Sequence, residues 1–255
     1  MPIAVTFPAA EMTTPLRGAY SVNLGMKASA ARDKLRQARF DQAPVVNDAL
    51  QLCGWVRTAN LGGRGLVSAS VTPLEACAIQ SLDTPVGDAI HNVASSGLVF
   101  FAGPSGITEF AVPSDLDRHV VRCYLYVVLA ELEMLLANFA EDELPHEVIE
   151  SLIRGRERSR YDAAREHDVE IRPVEYLMLS AYSGVIDRIR PVVATFPGTR
   201  NELRSTLKQL TRLRNCVAHP AKSLTAEFPV TDISRLARSA EALTTGLRAV
   251  RVPRA

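Results

Sequence analysis

An arginine, an asparagine and a histidine stand at the end of an amphipathic helical pattern in the last third of the chain. They are Arg214, Asn215 and His219, within the segment from Leu213 to Pro220. A guanidinium holds a phosphate through paired hydrogen bonds, and an imidazole moves a proton near neutral pH. Together these groups could cleave RNA by general acid–base catalysis without a metal. Asn215 and His219 are four residues apart, so their side chains could hydrogen-bond and fix the imidazole tautomer.

The spacing of Arg214 and His219 requires a turn in the chain. Positions five residues apart on a helix point about 140° apart around its axis, so the two side chains would not converge on a straight helix. Pro220 disfavours helical geometry at the residue before it and so releases His219 from the helix. A structural alternative stays open, because such residues at a helix end also bond the terminal carbonyls and favour the negative end of the dipole.

The charge pattern around this motif is asymmetric, although the net charge of the chain is only +1. Between positions 188 and 222 there is one acidic residue, Glu202, and eight basic ones: Arg188, Arg190, Arg200, Arg204, Lys208, Arg212, Arg214 and Lys222. A local positive field of this kind is what a polyanion requires. A solvated helix face is the simpler interpretation of the charge alone.

The bulk composition predicts an ordinary soluble protein. A chain of 255 residues, 47% hydrophobic and 22% charged, can form one large domain or two small ones, and two are favoured. The longest apolar run, Cys123 to Ala130, is too short to cross a membrane, and residues 1–10 lack the pattern of a secretory signal. Four scattered cysteines show neither disulfide nor metal-ligand spacing. We therefore expect a cytoplasmic protein without a metal site.

Up to about residue 116, short β-type runs and brief helices occur in an order that repeats. In the first copy, a helix over 29–38 precedes strands at 44–46 and 54–56. In the second copy, Thr84 as N-cap and Pro85 begin a helix with Val86, Ala89, Ile90 and Val93 on its apolar face, and strands follow at 98–101 and 110–112. The pattern indicates an internal duplication of about 55 residues. The Gly62–Gly65 cluster between the copies does not match a phosphate-binding loop and is interpreted as a linker.

From His119 onward the helical period dominates. Helices are predicted over 120–139, 147–165, 174–189, 200–217 and 234–250. Thr199 to Glu202 forms a capping box at the start of the fourth helix, whose apolar stripe consists of Leu203, Leu207, Leu210, Leu213 and Val217. The fold class expected is therefore α+β, with an all-α bundle in the C-terminal half.

The duplicated half resembles a tandem pair of CBS domains over residues 10–118, with copies at 10–62 and 66–118. The segments that carry the resemblance are Asp41–Val46, Gly54–Leu61 and Thr108–Leu116. The resemblance implies repeats of the β-α-β-β-α type and an adenine nucleotide as regulatory ligand. Asp115 matches the acidic position that holds ribose hydroxyls, and Asn60 is its softened counterpart. Arg57 and Val112 replace the family threonine that contacts phosphate, and the neighbouring hydroxyls of Thr58 and Ser114 could substitute. Two alternatives stay open: Asp115 as a helix N-cap, and a pair that serves only for dimerisation.

Residues 119–250 resemble HEPN domains, whose signature is matched by Arg214 to His219. The resemblance implies a homodimer in which two motifs form one composite endoribonuclease site that needs no cofactor. His219 would act as general acid or base, Arg214 would stabilise the transition-state charge, and Asn215 would position them. RNA is then the expected partner, with no role for a membrane. The alternative is a non-catalytic, nucleotide-sensing scaffold that binds RNA or a partner protein.

Overall fold

Two four-stranded sheets organise the first part of the chain in the computed structural model, which describes residues 7–167 and 171–250. One sheet has the strand order β2-β3-β4-β5 and the other the order β1-β8-β7-β6. The strands are β1 (Thr14–Pro15), β2 (Val22–Asn23), β3 (Gln42–Val46), β4 (Leu52–Arg57), β5 (Thr72–Pro73), β6 (Ala78–Ser81), β7 (Val99–Gly103) and β8 (Gly106–Ala111). The helices of this part are α1 (Ala28–Gln37) and α2 (Val86–Ser96).

The two repeats interlock by exchanging their first strands. β1, at the start of the first repeat, pairs antiparallel with β8 of the second, and β5, at the start of the second repeat, pairs antiparallel with β4 of the first. The first residue of each helix is also bonded to the segment that precedes the other repeat. The Ala28 amide, at the start of α1, donates to the Gly65 carbonyl, and the Val86 amide, at the start of α2, donates to the Phe7 carbonyl. The predicted duplication is therefore visible in the backbone pairing, and neither repeat completes its sheet alone.

The predicted helices of this half are close to those observed. α2 buries Val86, Ala89, Ile90 and Val93, which confirms its apolar face. The start of α2 was predicted wrongly, because Pro85 rather than Thr84 occupies the N-cap position and no side chain caps the helix.

An all-helical unit follows, so the predicted α+β class is confirmed. The chain divides into one unit over Thr6–Asp115 and a second from Leu116 onward, whereas the sequence placed the boundary at 118/119. The described helices of the second unit are α3 (His119–Glu143), α4 (His146–Leu152), α5 (Gly155–Glu166), α6 (Arg190–Thr195), α7 (Arg200–Ala218), α8 (Leu224–Glu227) and α9 (Val230–Val250).

Two predicted helices of this unit are wrong. The helix predicted over 147–165 is two helices, because Arg154 is extended and Gly155 has a φ of 56°, which suits glycine and redirects the chain. The helix predicted over 174–189 is a series of short 3₁₀ turns. Most of its apolar residues are nevertheless buried, Tyr182 completely, although Met178 is 47% exposed, so packing of irregular backbone satisfies much of the pattern that predicted a helix.

α7 is the helix that the sequence predicted most closely. The Glu202 amide donates to the Thr199 hydroxyl and the Thr199 amide donates to the Glu202 carboxylate, which confirms the capping box. The whole predicted apolar stripe is buried: Leu203, Leu207, Leu210, Leu213 and Val217. Within residues 7–167 and 171–250 no helix has the length and apolar character to span a bilayer. The interpretation of residues 1–10 as lacking a secretory signal falls largely outside these ranges.

Candidate functional site

A cleft of about 650 Å³ lies within the N-terminal unit, where residues of both repeats face each other. The second repeat contributes Ser114 and Asp115, which follow β8, together with Phe110 and Gly97. The first contributes residues from β1 and the segment after it, from the segment after α1, from β3 and from the end of β4: Thr14, Ala19, Tyr20, Arg39, Phe40, Asp41, Gln42, Pro44 and Arg57. The volume is within the range of small-molecule sites.

Asp115 is the buried acid of this cleft, with 7% of its surface exposed. It lies in a 3₁₀ helix over Pro113–Asp117 that continues from β8. Its carboxylate accepts hydrogen bonds from the Val112 amide at 2.8 Å and from the Thr14 hydroxyl at 3.2 Å. Thr14 is delivered by the exchanged strand β1, which pairs with Phe110. The predicted N-cap role before a helix starting at residue 116 is wrong, because α3 begins only at His119.

Arg57 places a cation at the edge of the same cleft. Its guanidinium lies 5.1 Å from the centre of the Trp55 ring and donates to the Ser96 carbonyl at 3.4 Å. The Gln42 side-chain amide donates to the Gly97 carbonyl at 2.8 Å. The end of α2 is thereby tied to β3 and β4, and the exposed Arg57 head stays within reach of an anionic group in the cleft.

The structure therefore brings together Arg57, Ser114 and Asp115 of the five predicted nucleotide contacts. Thr58 does not line the cleft, because it is buried and its hydroxyl donates to the Phe40 carbonyl at 2.7 Å. Asn60 ends the 3₁₀ turn after β4, is exposed and is not part of the cleft lining. The order of the repeats makes Asn60 the counterpart of Asp115, yet only Asp115 faces this space.

Two aromatic residues of the cleft were not predicted as site residues. Tyr20 and Phe40 contact each other with ring centres 5.3 Å apart, and they stay 40% and 45% exposed. An exposed aromatic pair beside a cavity offers a stacking surface for a planar ring. No local pattern indicates the pair, because the two residues belong to different segments and neither completes an apolar period.

Arg214 lies on α7 in the helical unit and is held by a carboxylate. Its Nε atom lies 3.7 Å from Glu133 on α3, and their side chains are 29% and 20% exposed. Glu133 also accepts a hydrogen bond from the Leu179 amide at 2.8 Å. Glu131, two residues earlier on α3, pairs with Arg248 on α9. Arg214 and Glu133 line a cavity of about 440 Å³ together with the buried Tyr182, whose pKa is raised by burial and by the Glu133 charge.

His219 is the C-cap of α7 and leaves the helix, with a φ of −111° and a ψ of 86°. The effect predicted for Pro220 is therefore confirmed. His219 and Asn215 are both exposed, and no hydrogen bond joins the two side chains among the described contacts. The bond predicted between them is thus not formed in this structure. His219 also does not line the cavity that Arg214 borders.

The buried Arg122 and the half-buried Asp117 hold the loop that carries His219. The Arg122 guanidinium donates to the Cys216 carbonyl at 3.2 Å and also to the Lys222 carbonyl. Asp117 accepts from the Ser223 hydroxyl at 2.8 Å and from the Leu224 amide. Sequence reasoning assigned these two residues no role, because their partners in the loop lie about 100 positions away in the chain.

No protein-family model and no curated protein matches the chain. Among solved structures, CBSX2 from Arabidopsis thaliana is 14% identical, with a TM-score of 0.39 over 44% of this chain and 92% of that one. A structure of CBSX2 in complex with AMP is 16% identical, with a TM-score of 0.38 over 43% and 93%. The CBS domain of a bacterial CNNM/CorC family Mg²⁺ transporter in complex with ATP is 14% identical, with a TM-score of 0.37 over 43% and 83%. Likenesses of this size do not identify the chain.

Proposed function

We propose that the N-terminal unit is a CBS-type pair that binds an adenine nucleotide in the cleft of Asp115. The observation that carries the proposal is the convergence of three chemically different groups on one cavity: the Asp115 carboxylate, the Tyr20–Phe40 aromatic pair and the Arg57 guanidinium. These groups suit the three parts of a nucleotide.

Each group has a specific task in this proposal. The carboxylate accepts hydrogen bonds from the ribose hydroxyls, and bonds to a charged acceptor are among the stronger ones in proteins. The aromatic pair stacks against the base. Arg57 and Arg39, which both line the cleft, balance the phosphate charge. None of these tasks requires a metal.

Ligand-dependent stability tests this proposal directly. AMP, ADP and ATP are each titrated into the purified protein, and the melting temperature is recorded beside adenosine, ribose 5-phosphate and GMP. A ligand at 100 times its Kd stabilises the folded state by about 2.7 kcal/mol. We expect at least one adenine nucleotide to raise the melting temperature more than adenosine or ribose 5-phosphate. If none of the adenine compounds shifts it, the cleft is not a nucleotide site.

We further propose that the helical unit is a metal-independent endoribonuclease of the HEPN type. The exposed His219 at the end of α7 supports this role, because its imidazole is free to meet a second copy of the chain. In this mechanism the 2′-oxygen attacks the phosphorus while His219 accepts its proton. The bond to the 5′-oxygen breaks, and the leaving oxygen receives a proton from the second imidazole. Arg214 stabilises the charge on the phosphorane-like transition state, and a cyclic phosphate and a 5′-hydroxyl result.

A composite site explains why Arg214 and His219 do not share a cavity within one chain. The test incubates labelled single-stranded RNA with wild-type protein, Arg214→Ala and His219→Ala in the presence of a chelator. Loss of acid–base help lowers the rate by about 10²- to 10⁴-fold. Because the composite site uses both imidazoles, a mixed dimer of wild-type and His219→Ala chains should also lose most of the activity.

The competing function is a non-catalytic scaffold that binds RNA or a partner protein. The basic residues between positions 188 and 222 support RNA binding equally well in either case. RNA retention by gel shift without cleavage, in the wild type and in His219→Ala alike, would favour the scaffold. Light scattering of the wild-type protein tests the homodimer that the nuclease requires.

A further inference from the structure

The cavity of about 440 Å³ that Arg214 borders in the helical unit is also lined by the buried side chain of Tyr182. Tyr182 belongs to the 3₁₀ turns over Leu179–Gly184 and is completely buried. Its hydroxyl has no hydrogen-bond partner among residues 7–167 and 171–250. A buried polar group that is left unpaired costs free energy, so such a group requires an explanation. A molecule bound in the cavity that completes the hydrogen bond provides one.

Glu133 brings a carboxylate with spare acceptor sites to the same cavity. The two oxygens of an ionised carboxylate can accept about four hydrogen bonds. One oxygen of Glu133 accepts from the Leu179 amide at 2.8 Å, and the other lies 3.7 Å from Nε of Arg214, which is longer than a hydrogen bond. Burial and the Glu133 charge raise the pKa of Tyr182, so its hydroxyl is protonated at neutral pH and can donate. A donor and a partly unused acceptor therefore line one cavity.

The other two carboxylates of the cavity are less suited to hold a ligand. Glu157 already accepts two hydrogen bonds from Arg160, at 2.9 and 3.2 Å. Glu175 is exposed and lies 3.9 Å from Arg172. The Glu133 side chain is only 20% exposed, and a hydrogen bond in such surroundings is electrostatically stronger than one in water.

Apolar side chains give the cavity surfaces for the faces of a planar ring. Val174 and Leu177 line it and are buried, whereas Met134 and Met178 line it and stay exposed. Methionine thioethers contact aromatic rings favourably and adapt to their shape. The cavity thus combines apolar contacts for the faces of a ring with polar groups for its edge, as small-molecule sites do.

Guanine is the RNA base whose edge matches these polar groups. Its N1–H and N2–H donors are adjacent and can both bind one carboxylate, and the neighbouring O6 accepts a hydrogen bond from a hydroxyl. Uracil offers a carboxylate a single ring N–H between two carbonyl oxygens. Adenine and cytosine place an acceptor nitrogen beside the amino group, and a carboxylate oxygen repels it.

We infer that Glu133 and Tyr182 bind a guanine base of single-stranded RNA, and that Arg214, on the same cavity, contacts the adjoining phosphate. The inference rests on the proposed nuclease and deepens it by naming guanine as the base beside the cleaved bond. All three residues belong to the helical unit, so the site does not depend on the nucleotide cleft.

An RNA that cannot be cleaved tests the base preference separately from catalysis. Fluorescence anisotropy measures the Kd of labelled 2′-O-methyl oligouridylate with and without one central guanine, and unlabelled GMP serves as competitor. Guanine should lower the Kd by about 5- to 150-fold, the discrimination given by a bidentate base contact. Glu133→Gln exchanges one acceptor for a donor and should abolish this preference.

Two tyrosine variants separate recognition from folding. Tyr182→Phe removes an unpaired hydroxyl, so its urea midpoint should equal or exceed that of the wild type, while the guanine preference falls by about 2- to 12-fold. Tyr161→Phe is the matched control, because Tyr161 is also buried but its hydroxyl bonds Glu150 and it does not line the cavity. This control should lower the urea midpoint and keep the guanine preference.

The outcomes distinguish this inference from the nuclease on which it rests. Equal Kd values for the two RNAs, or no binding of either, overturn the inference, and cleavage of labelled RNA by the wild type then leaves the nuclease standing. A guanine preference without cleavage overturns the nuclease and leaves the base site standing. If GMP binds as tightly as the guanine-containing RNA, the ligand is a free nucleotide and the inference is overturned. A loss of stability in Tyr182→Phe as large as that in Tyr161→Phe would assign the hydroxyl a structural role instead.

Discussion

The two repeats of the N-terminal unit place the same elements in the same order but prepare different surfaces. After β8 the chain turns into a 3₁₀ helix that brings the Asp115 carboxylate into a cleft, where Thr14 and the Val112 amide orient it. After β4 the corresponding turn ends in Asn60, which is exposed and lies outside that cleft. The backbone therefore follows the same order in both repeats. Only the turn after β8, however, places a carboxylate, that of Asp115, in the cleft.

The difference shows how an interlocked pair can specialise without losing its fold. Each repeat completes the sheet of the other, so the backbone pairing needs both copies whatever the side chains do. The side chains at the ends of β4 and β8 are not constrained by this pairing. Arg57 and Val112 can therefore differ in chemistry, and both line the cleft that Asp115 faces.

The largest expected effect separates Asp115 from Asn60. Asp115→Asn removes a charged acceptor and should weaken nucleotide binding by about 10- to 150-fold, the value of a hydrogen bond to an ionised group. Asn60→Ala should leave the Kd unchanged. Isothermal titration with AMP or ATP measures both. Equal losses of affinity in the two variants would show that the two repeats form equivalent sites, which would contradict the difference described above.

The residues that follow α1 and α2 provide the next test, which measures the free energy of unfolding of the protein without ligand. Arg39 after α1 has a φ of 60° and Gly97 after α2 a φ of 81°, so both adopt the left-handed conformation. Gly97→Ala should destabilise the protein by about 1–2 kcal/mol because an L side chain is strained there. Arg39→Gly should stabilise it by up to about 1 kcal/mol, since relief of strain exceeds the added chain entropy.

Urea denaturation measures the free energy of unfolding of both variants. It is followed by the fluorescence of Trp55, the one tryptophan of the chain, which lies in the N-terminal unit. The two midpoints should move in opposite directions. A stabilising effect of Gly97→Ala would contradict the conformation assigned to the end of α2.

A smaller effect is expected at the aromatic pair of Tyr20 and Phe40, which both belong to the first repeat. Tyr20→Ala removes one ring of the pair and should weaken AMP binding by about 2- to 12-fold, from the 0.5–1.5 kcal/mol of an aromatic contact. The loss should be similar for adenosine, because stacking involves the base. Ile79→Ala, at a 46% exposed position on β6, is the control and should leave both affinities unchanged.

The smallest expected effect is a pH dependence at Asp117, which lies just after the second repeat, at the position where the first repeat is followed by Gly62. Partial burial raises the pKa of Asp117, but the bonds from Thr225, Ser223 and the loop amides outweigh burial and hold the pKa below its ordinary value. Because the folded pKa is lowered, the carboxylate stabilises the native state above its ordinary pKa, and this contribution is lost as pH falls through the folded value. The difference in urea midpoint between the wild type and Asp117→Asn should therefore shrink as pH falls from 6 to 3. A difference in urea midpoint that grows as pH falls would contradict the lowered pKa of Asp117.

Much of the fold could be predicted because its signals are local. The apolar stripe and capping box of α7 and the apolar face of α2 are readable from a few neighbouring residues. The segment 174–189 misled the same reasoning, since its apolar spacing is satisfied by 3₁₀ turns packed against α7 rather than by a helix of its own. Local periodicity reports that residues are buried, but the surrounding packing selects the backbone that buries them.

The sequence by itself determined the duplication, the acid at position 115, the release of His219 from α7 by Pro220 and the α+β class, because each depends on residues close together in the chain. Only the tertiary structure decided which acid faces a cleft, that Tyr20 and Phe40 pair beside it, and that Arg122 and Asp117 hold the His219 loop. Those contacts join residues far apart in sequence, and no spacing rule specifies which distant backbone carbonyl a buried guanidinium will bind.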